Sequence, residues 1–112
     1  MEKIQVLMST YNGEKYIEEQ INSILNQKGV NVDLLIRDDG SNDSTIEKLN
    51  KYENKINFYI GENIKPAKSF MELIKNAGDY NFFAFADQDD IWKEQKLNRA
   101  INKIKEIDNG QP

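Results

Sequence analysis

The sequence predicts an α/β fold, a mostly parallel β-sheet with helices on both faces, and three observations carry that reading. Short apolar runs alternate four times with segments whose apolar residues recur at helical spacing. The connections are short, and no internal repeat or low-complexity stretch interrupts the order. Polar clusters follow directly on three of the apolar runs, where a parallel sheet gathers its ligand-facing loops. A length of 112 residues leaves room for one domain.

Each element has its own warrant. Residues 4–8 form a first strand, closed by Ser9, Thr10, Tyr11, Asn12 and Gly13. Ile17, Ile21, Ile24 and Leu25 then recur at the helical period, and Gly29 marks a stop. Residues 33–37 give a second strand that runs into Asp38, Asp39, Gly40 and Ser41. Ser44 and Glu47 have the spacing of a capping box, opening a helix that carries Ile46 and Leu49. Residues 56–60 alternate as a shorter strand should. Pro66 suits the first turn of a helix whose apolar face is Phe70, Leu73, Ile74 and Ala77. Gly78 and Asp79 break it, and residues 80–86 give a fourth strand, expected to be buried because its apolar run is unbroken. Leu97, Ala100, Ile101 and Ile104 mark a last amphipathic helix, and residues 109–112 read as a loose tail at a point of truncation.

Composition narrows the class. The chain is 38% hydrophobic and 30% charged with a net charge of −4, which argues against a nucleic-acid binder with its net basic face. No apolar stretch reaches the ~20 residues that span a bilayer, and the start runs straight into a strand pattern without a signal-peptide layout. The absence of cysteine fits a reducing compartment. The expectation is a cytoplasmic α/β domain.

The sharpest feature is Asp87-Gln88-Asp89-Asp90, three carboxylates in four positions at the end of the fourth strand. Like charges this close raise the energy of the folded chain unless a cation or a polyhydroxyl ligand sits among them. With no histidine and no cysteine, a metal here takes oxygen ligands, which favours Mg²⁺, Mn²⁺ or Ca²⁺ over zinc or copper. Parallel strands place this cluster on one rim with Ser9 to Gly13 and Asp38 to Ser41. The rim has no GxGxxG and no P-loop lysine. It fits a metal-bridged nucleoside diphosphate, whose ribose or base offers donors to the carboxylates, better than a bare dinucleotide.

Plainer roles stand beside these. Asp38 to Ser41 also reads as a turn plus helix start, Ser9 to Gly13 as an ordinary helix cap, and Asp87 to Asp90 as acidic capping of the last helix. One carboxylate suffices for capping, so three leave an excess. Trp92 reads as packing, and Tyr80 and its neighbouring phenylalanines as core. Lys93, Lys96, Arg99, Lys103 and Lys105 read as a solvated face, compatible with a weak membrane contact.

Taken together, the segments Ser9-Thr10-Tyr11-Asn12-Gly13, Asp38-Asp39-Gly40-Ser41-Asn42-Asp43-Ser44-Thr45 and Asp87-Gln88-Asp89-Asp90-Ile91-Trp92 resemble the successive motifs of family 2 glycosyltransferases of the GT-A fold, in order and spacing. The likeness covers nearly the whole chain, residues 1–108. Ala86 to Trp92 is similar to rhamnosyltransferase-like members that build bacterial surface polysaccharides. The resemblance implies an inverting enzyme with Mg²⁺ or Mn²⁺ as cofactor and a UDP-, dTDP- or GDP-linked sugar as donor. A glycan or glycolipid would accept the sugar, and the protein would sit in the cytoplasm, compatible with the inner face of the membrane.

Residue by residue, the resemblance implies that Asp87 and Asp89 match the DxD pair, Asp87 facing ribose and metal and Asp89 ligating the metal. Asp90 would support that site or face the sugar. Asp39 matches the acid that reads the pyrimidine base, with Asp38 beside it, while Ser9 and Tyr11, with Thr10 and Asn12 in the same loop, pack around that base. Family members carry the base that activates the acceptor downstream, and neither Glu94 nor Glu106 matches it, so the chain is expected to be a fragment with little turnover of its own. Rival readings are a receiver-like Mg²⁺-binding signalling domain, a non-catalytic nucleotide- or sugar-binding module, and a pyrophosphorylase, though the basic glycine-rich loop of the last is lacking.

Overall fold

A computed structural model of the chain describes residues 1–109. Four strands alternate with four helices: β1 (Glu2–Thr10), α1 (Ile17–Leu25), β2 (Val30–Asp38), α2 (Thr45–Asn50), β3 (Asn57–Ile60), α3 (Lys65–Lys75), β4 (Phe82–Ala86) and α4 (Lys96–Asn109). The sheet is all parallel in the order β3-β2-β1-β4. Growth from β1 through β2 to β3 goes one way, and β4 then adds on the other side of β1. The strand order therefore reverses between β1 and β4, which opens a crevice at their carboxyl ends. A receiver-like domain would need the order 2-1-3-4-5, so that alternative is excluded by topology.

β1 is central, and the alternation of its side chains builds two cores. Ile4, Val6 and Met8 enter the larger one with Ile17, Ile21 and Ile24 of α1, Leu49 of α2, and Leu97 and Ile101 of α4. Leu7 points the other way and meets Leu35 of β2 and Leu73 of α3. Helices thus cover both faces, with α3 alone on the second.

Several expectations are corrected. β1 and β2 run further than residues 4–8 and 33–37, so Ser9, Thr10 and Asp38 belong to strands. β4 is an edge strand rather than a buried one: Phe82 and Ala84 face the larger core, whereas Phe83 and Phe85 are 43% and 54% exposed. Phe70 of α3 meets Phe85 edge to face at 5.8 Å, while Ile74 stays exposed. Tyr80, read as core, is half-buried, its hydroxyl hydrogen-bonded to Asp33. The capping box does not form, because Ser44 makes no side-chain cap bond. Asp43 takes that role: its Oδ1 accepts from the Thr45 N–H at 2.9 Å. On α4 only Leu97 and Ile101 are buried, Ala100 and Ile104 being exposed. Asn109, expected in the tail, ends that helix, and residues 110–112 lie outside the described residues.

Candidate functional site

The rim is assembled by hydrogen bonds between loops that are distant in sequence. β1 outruns β4, Met8 standing opposite Ala86, so Ser9 and Thr10 project beyond the end of β4. The next loop is fastened to the one after β2. The Asn12 N–H donates to Ser41 Oγ at 2.8 Å, Asn12 Oδ1 accepts from the Asn42 N–H at 2.8 Å, and the Gly13 N–H donates to Thr45 Oγ1 at 2.8 Å. Thr45 Oγ1 donates in turn to Asp43 Oδ1 at 2.6 Å. Burial acts to raise the Asp43 pKa, but bonds from the Thr45 hydroxyl and the Thr45 and Glu14 amides outweigh it, and the carboxyl lies below its ordinary 3.8.

The neighbouring acids at the end of β2, Asp38 in the strand and Asp39 just after it, have different surroundings. Asp38 has no exposed surface, and its carboxylate accepts from the Gly40 N–H at 3.1 Å, the Ser41 N–H at 2.8 Å and the Ser41 hydroxyl at 2.6 Å. Its side chain is occupied in shaping its own loop, where Gly40 supplies the required φ of +84°. Asp39 is 2% exposed and lines a cleft. Its Oδ1 accepts from Arg37 Nη1 at 2.6 Å and from the Ile64 N–H at 2.9 Å, and its Oδ2 from the Lys65 N–H at 3.1 Å. Arg37 also donates to Ser69 Oγ and the Glu62 carbonyl, both at 2.9 Å, while Ser9 Oγ donates to Ser69 Oγ at 2.6 Å. This network anchors α3 to the rim. Sequence reading missed Arg37, although an arginine two residues before Asp39 in an apolar strand puts both on one face.

The acidic loop is held at its backbone and leaves two carboxylates free. The Asp87 carbonyl accepts from Gln20 Nε2, and Gln88 Oε1 accepts from the Tyr11 N–H at 3.0 Å. Asp90 turns toward α4: Oδ2 accepts from Trp92 Nε1 at 3.3 Å and lies 4.0 Å from Lys96 Nζ. The Asp87 and Asp89 carboxylates have no hydrogen-bond or ion-pair partner among the described residues, and no group of three acids there is arranged to hold a metal. Two carboxylates suit a Mg²⁺-like ion when phosphates of a ligand supply the remaining oxygens.

Between these loops lies a cleft of about 260 Å³. Of the sequence-predicted residues, Ser9, Thr10, Tyr11, Asp39 and Asp87 line it; Asn12, Asp38, Asp89 and Asp90 do not. Phe70 and Pro66 add apolar wall. Thr10 Oγ1 is buried without a hydrogen-bond partner, a loss of about 1–3 kcal/mol if nothing meets it. The only three non-glycine residues with positive φ among the described residues all stand on this rim: Asn12 at 48°, Lys65 at 75° and Asp89 at 74°. Such strain costs about 1–3 kcal/mol each and gathers where ligands are held.

Comparison with known proteins identifies the family and agrees with the fold. The family model described as "Glycosyl transferase family 2" matches residues 5–111. The dTDP-rhamnosyl transferase RfbG of Shigella flexneri is 39% identical over 105 residues, covering 85% of this chain and 36% of that protein. The crystal structure of S. aureus TarS 1-349 in complex with UDP-GlcNAc superposes with a TM-score of 0.78 at 33% identity, covering 93% of this chain and 31% of that 1-349 chain. A mannosyltransferase of Pyrobaculum calidifontis, 20% identical, shares the fold with a TM-score of 0.79 over 88% of this chain and 31% of its own. The chain thus spans about a third of the length of the proteins it matches.

Proposed function

The chain belongs to glycosyl transferase family 2, and on that premise we propose that it forms the donor-holding part of an inverting glycosyltransferase, binding a metal-bridged nucleotide-diphosphate sugar in the cleft. One observation supports the reading: Asp39, Tyr11 and Asp87 line one cleft at the reversal of strand order, and Asp87 and Asp89, two residues on in the same loop, have carboxylates without a partner among the described residues. Nucleotide-sugar donors suit the relatives, since the Shigella protein is named for dTDP-rhamnosyl transfer and TarS was crystallised with UDP-GlcNAc.

In this reading Tyr11 lays its ring against the base, Ser9 and Thr10 border it, and Asp39 accepts its ring N–H. Asn12 and Asp38 keep the two loops in shape. Asp87 meets the ribose and, with Asp89, holds Mg²⁺ or Mn²⁺, while Asp90 fixes the loop against α4. The bound cation supplies charge neutralisation to the departing diphosphate. No residue of this chain is assigned to deprotonating the acceptor, so it binds donor and turns over poorly by itself. The place of action is the cytoplasm, with a glycan or glycolipid acceptor; no described helix is long and apolar enough to cross a membrane.

Calorimetry with UDP, dTDP and GDP, each with and without Mn²⁺, tests this. Metal-dependent binding that Asp89→Ala abolishes is expected. Equal weak signals, unmoved by that substitution, overturn the proposal.

A further inference from the structure

α1 presents a polar stripe to the segment that follows β4. Gln20 and Ser23 stand three residues apart on the helix, one above the other, and Gln27 follows just past its end. Each bonds to main chain between Asp87 and Leu97. Gln20 Nε2 donates to the Asp87 carbonyl, and Ser23 Oγ accepts from the Trp92 N–H at 3.1 Å. Gln27 donates to the Lys93 carbonyl at 2.7 Å and accepts from the Leu97 N–H at 3.0 Å. These bonds fix the path of the acidic loop without occupying the Asp87 or Asp89 carboxylate.

Two of the anchors bracket the strained residue. Asp87 and Trp92 flank Asp89, whose φ of +74° is left-handed. The Asp90 N–H closes the turn on the same Asp87 carbonyl at 3.2 Å. An aspartate keeps such a conformation where its surroundings over-determine it. Gln20 does this at a loss to the fold. It is 1% exposed on a helix face shared with Ile17, Ile21 and Ile24, and its Oε1 is buried without a partner. An unmet acceptor disfavours the folded chain, and an apolar side chain of similar length would not. A residue that breaks a packing rule in this way points to a site it serves.

We infer that Gln20 and Ser23 are positioning residues, which hold residues 87–92 in the shape that receives the donor's cation before cation or nucleotide arrives. Both act through the main chain of the loop. This rests on the reading of Asp87 and Asp89 as holders of that cation, and the experiment separates the two.

Hydrogen exchange in the 112-residue chain without ligand reads the anchoring. Gln20→Met should speed exchange at the Asp90 amide and Ser23→Ala at the Trp92 amide, each about fivefold. Ser23→Thr keeps a hydroxyl and should leave Trp92 slow. Calorimetry with and without Mn²⁺, using whichever of UDP, dTDP and GDP the parent binds best, then reads the site. Gln20→Met should melt no lower than the parent and keep metal-free nucleotide binding within about twofold. It should need about tenfold more Mn²⁺, the low end for a residue standing behind a ligand. A packing role predicts instead a lower melting point with both kinds of binding weakened, and that result overturns the inference. So does parent-like exchange at Asp90, or parent-like Mn²⁺ dependence, in Gln20→Met. Nucleotide binding by the parent that ignores Mn²⁺ overturns the proposed function, while the exchange rates still decide whether α1 anchors the loop.

Discussion

Arg37 of β2 and Asp39, the first residue beyond that strand, meet as a buried ion pair with Nη1 2.6 Å from Oδ1 and side chains 5% and 3% exposed. Removing one partner strands the other charge away from water, a loss of about 3–5 kcal/mol. Arg37→Met should therefore lower stability by about 3 kcal/mol in urea unfolding. A change under about 1 kcal/mol would show that water reaches the pair.

Gly61 lies beneath the same guanidinium, and a Cβ there would collide with it. Arg37 cannot swing aside without leaving Asp39, Ser69 and the Glu62 carbonyl. Gly61→Ala should cost about 1–3 kcal/mol, the usual range for overpacking. In an Arg37→Met background that cost should shrink, and a double-mutant cycle reads the difference.

Asp43 should leave a signature in acid. Its carboxyl is held below 3.8 in the folded chain, so its contribution is fully present above the unfolded pKa and is lost as pH falls through the folded one. The stability difference between the parent and Asp43→Asn should be largest near neutral pH and vanish in strong acid. At neutral pH Asp43→Ala should cost about 1 kcal/mol as a lost cap, while Glu47→Ala stays within about 0.5 kcal/mol. Thermal melts across that pH range check both.

Gln88 tethers the acidic loop to the loop after β1 through the Tyr11 N–H. Gln88→Ala should speed hydrogen exchange at the Tyr11 amide by about fivefold, the worth of one bond of about 1 kcal/mol. The thermal midpoint should hardly move, because both loops are exposed. Unchanged exchange would mean that the tether contributes nothing in solution.

Much of this was legible in the sequence, and the failures have physical causes. Periodicity placed all eight elements, since apolar spacing is what drives each one to bury a face. An unbroken apolar run could not tell a central strand from an edge one, and Phe83 and Phe85 differ from Val6 and Leu7 only in what covers them. The capping box failed because Asp43, one residue earlier, offers a stronger acceptor to the same helix end. Motif spacing identified Asp39 as a rim residue but not its bond to Arg37 or its grip on Lys65, because those contacts join β2 to the start of α3. Asp38 and Asp39 look interchangeable in sequence, yet one turns into its own loop and the other into the cleft.

The outer edge of β4 has a practical consequence for every measurement suggested above. No described strand pairs with that edge, and Phe83, Phe85 and Ile74 border an apolar hollow of about 490 Å³ beside it. Open strand edges flanked by exposed aromatic rings attract one another. Self-association through that edge is expected to grow with the protein concentration that titrations demand. Dilution series, sedimentation and a lysine at Phe83 then become controls that separate self-association from binding.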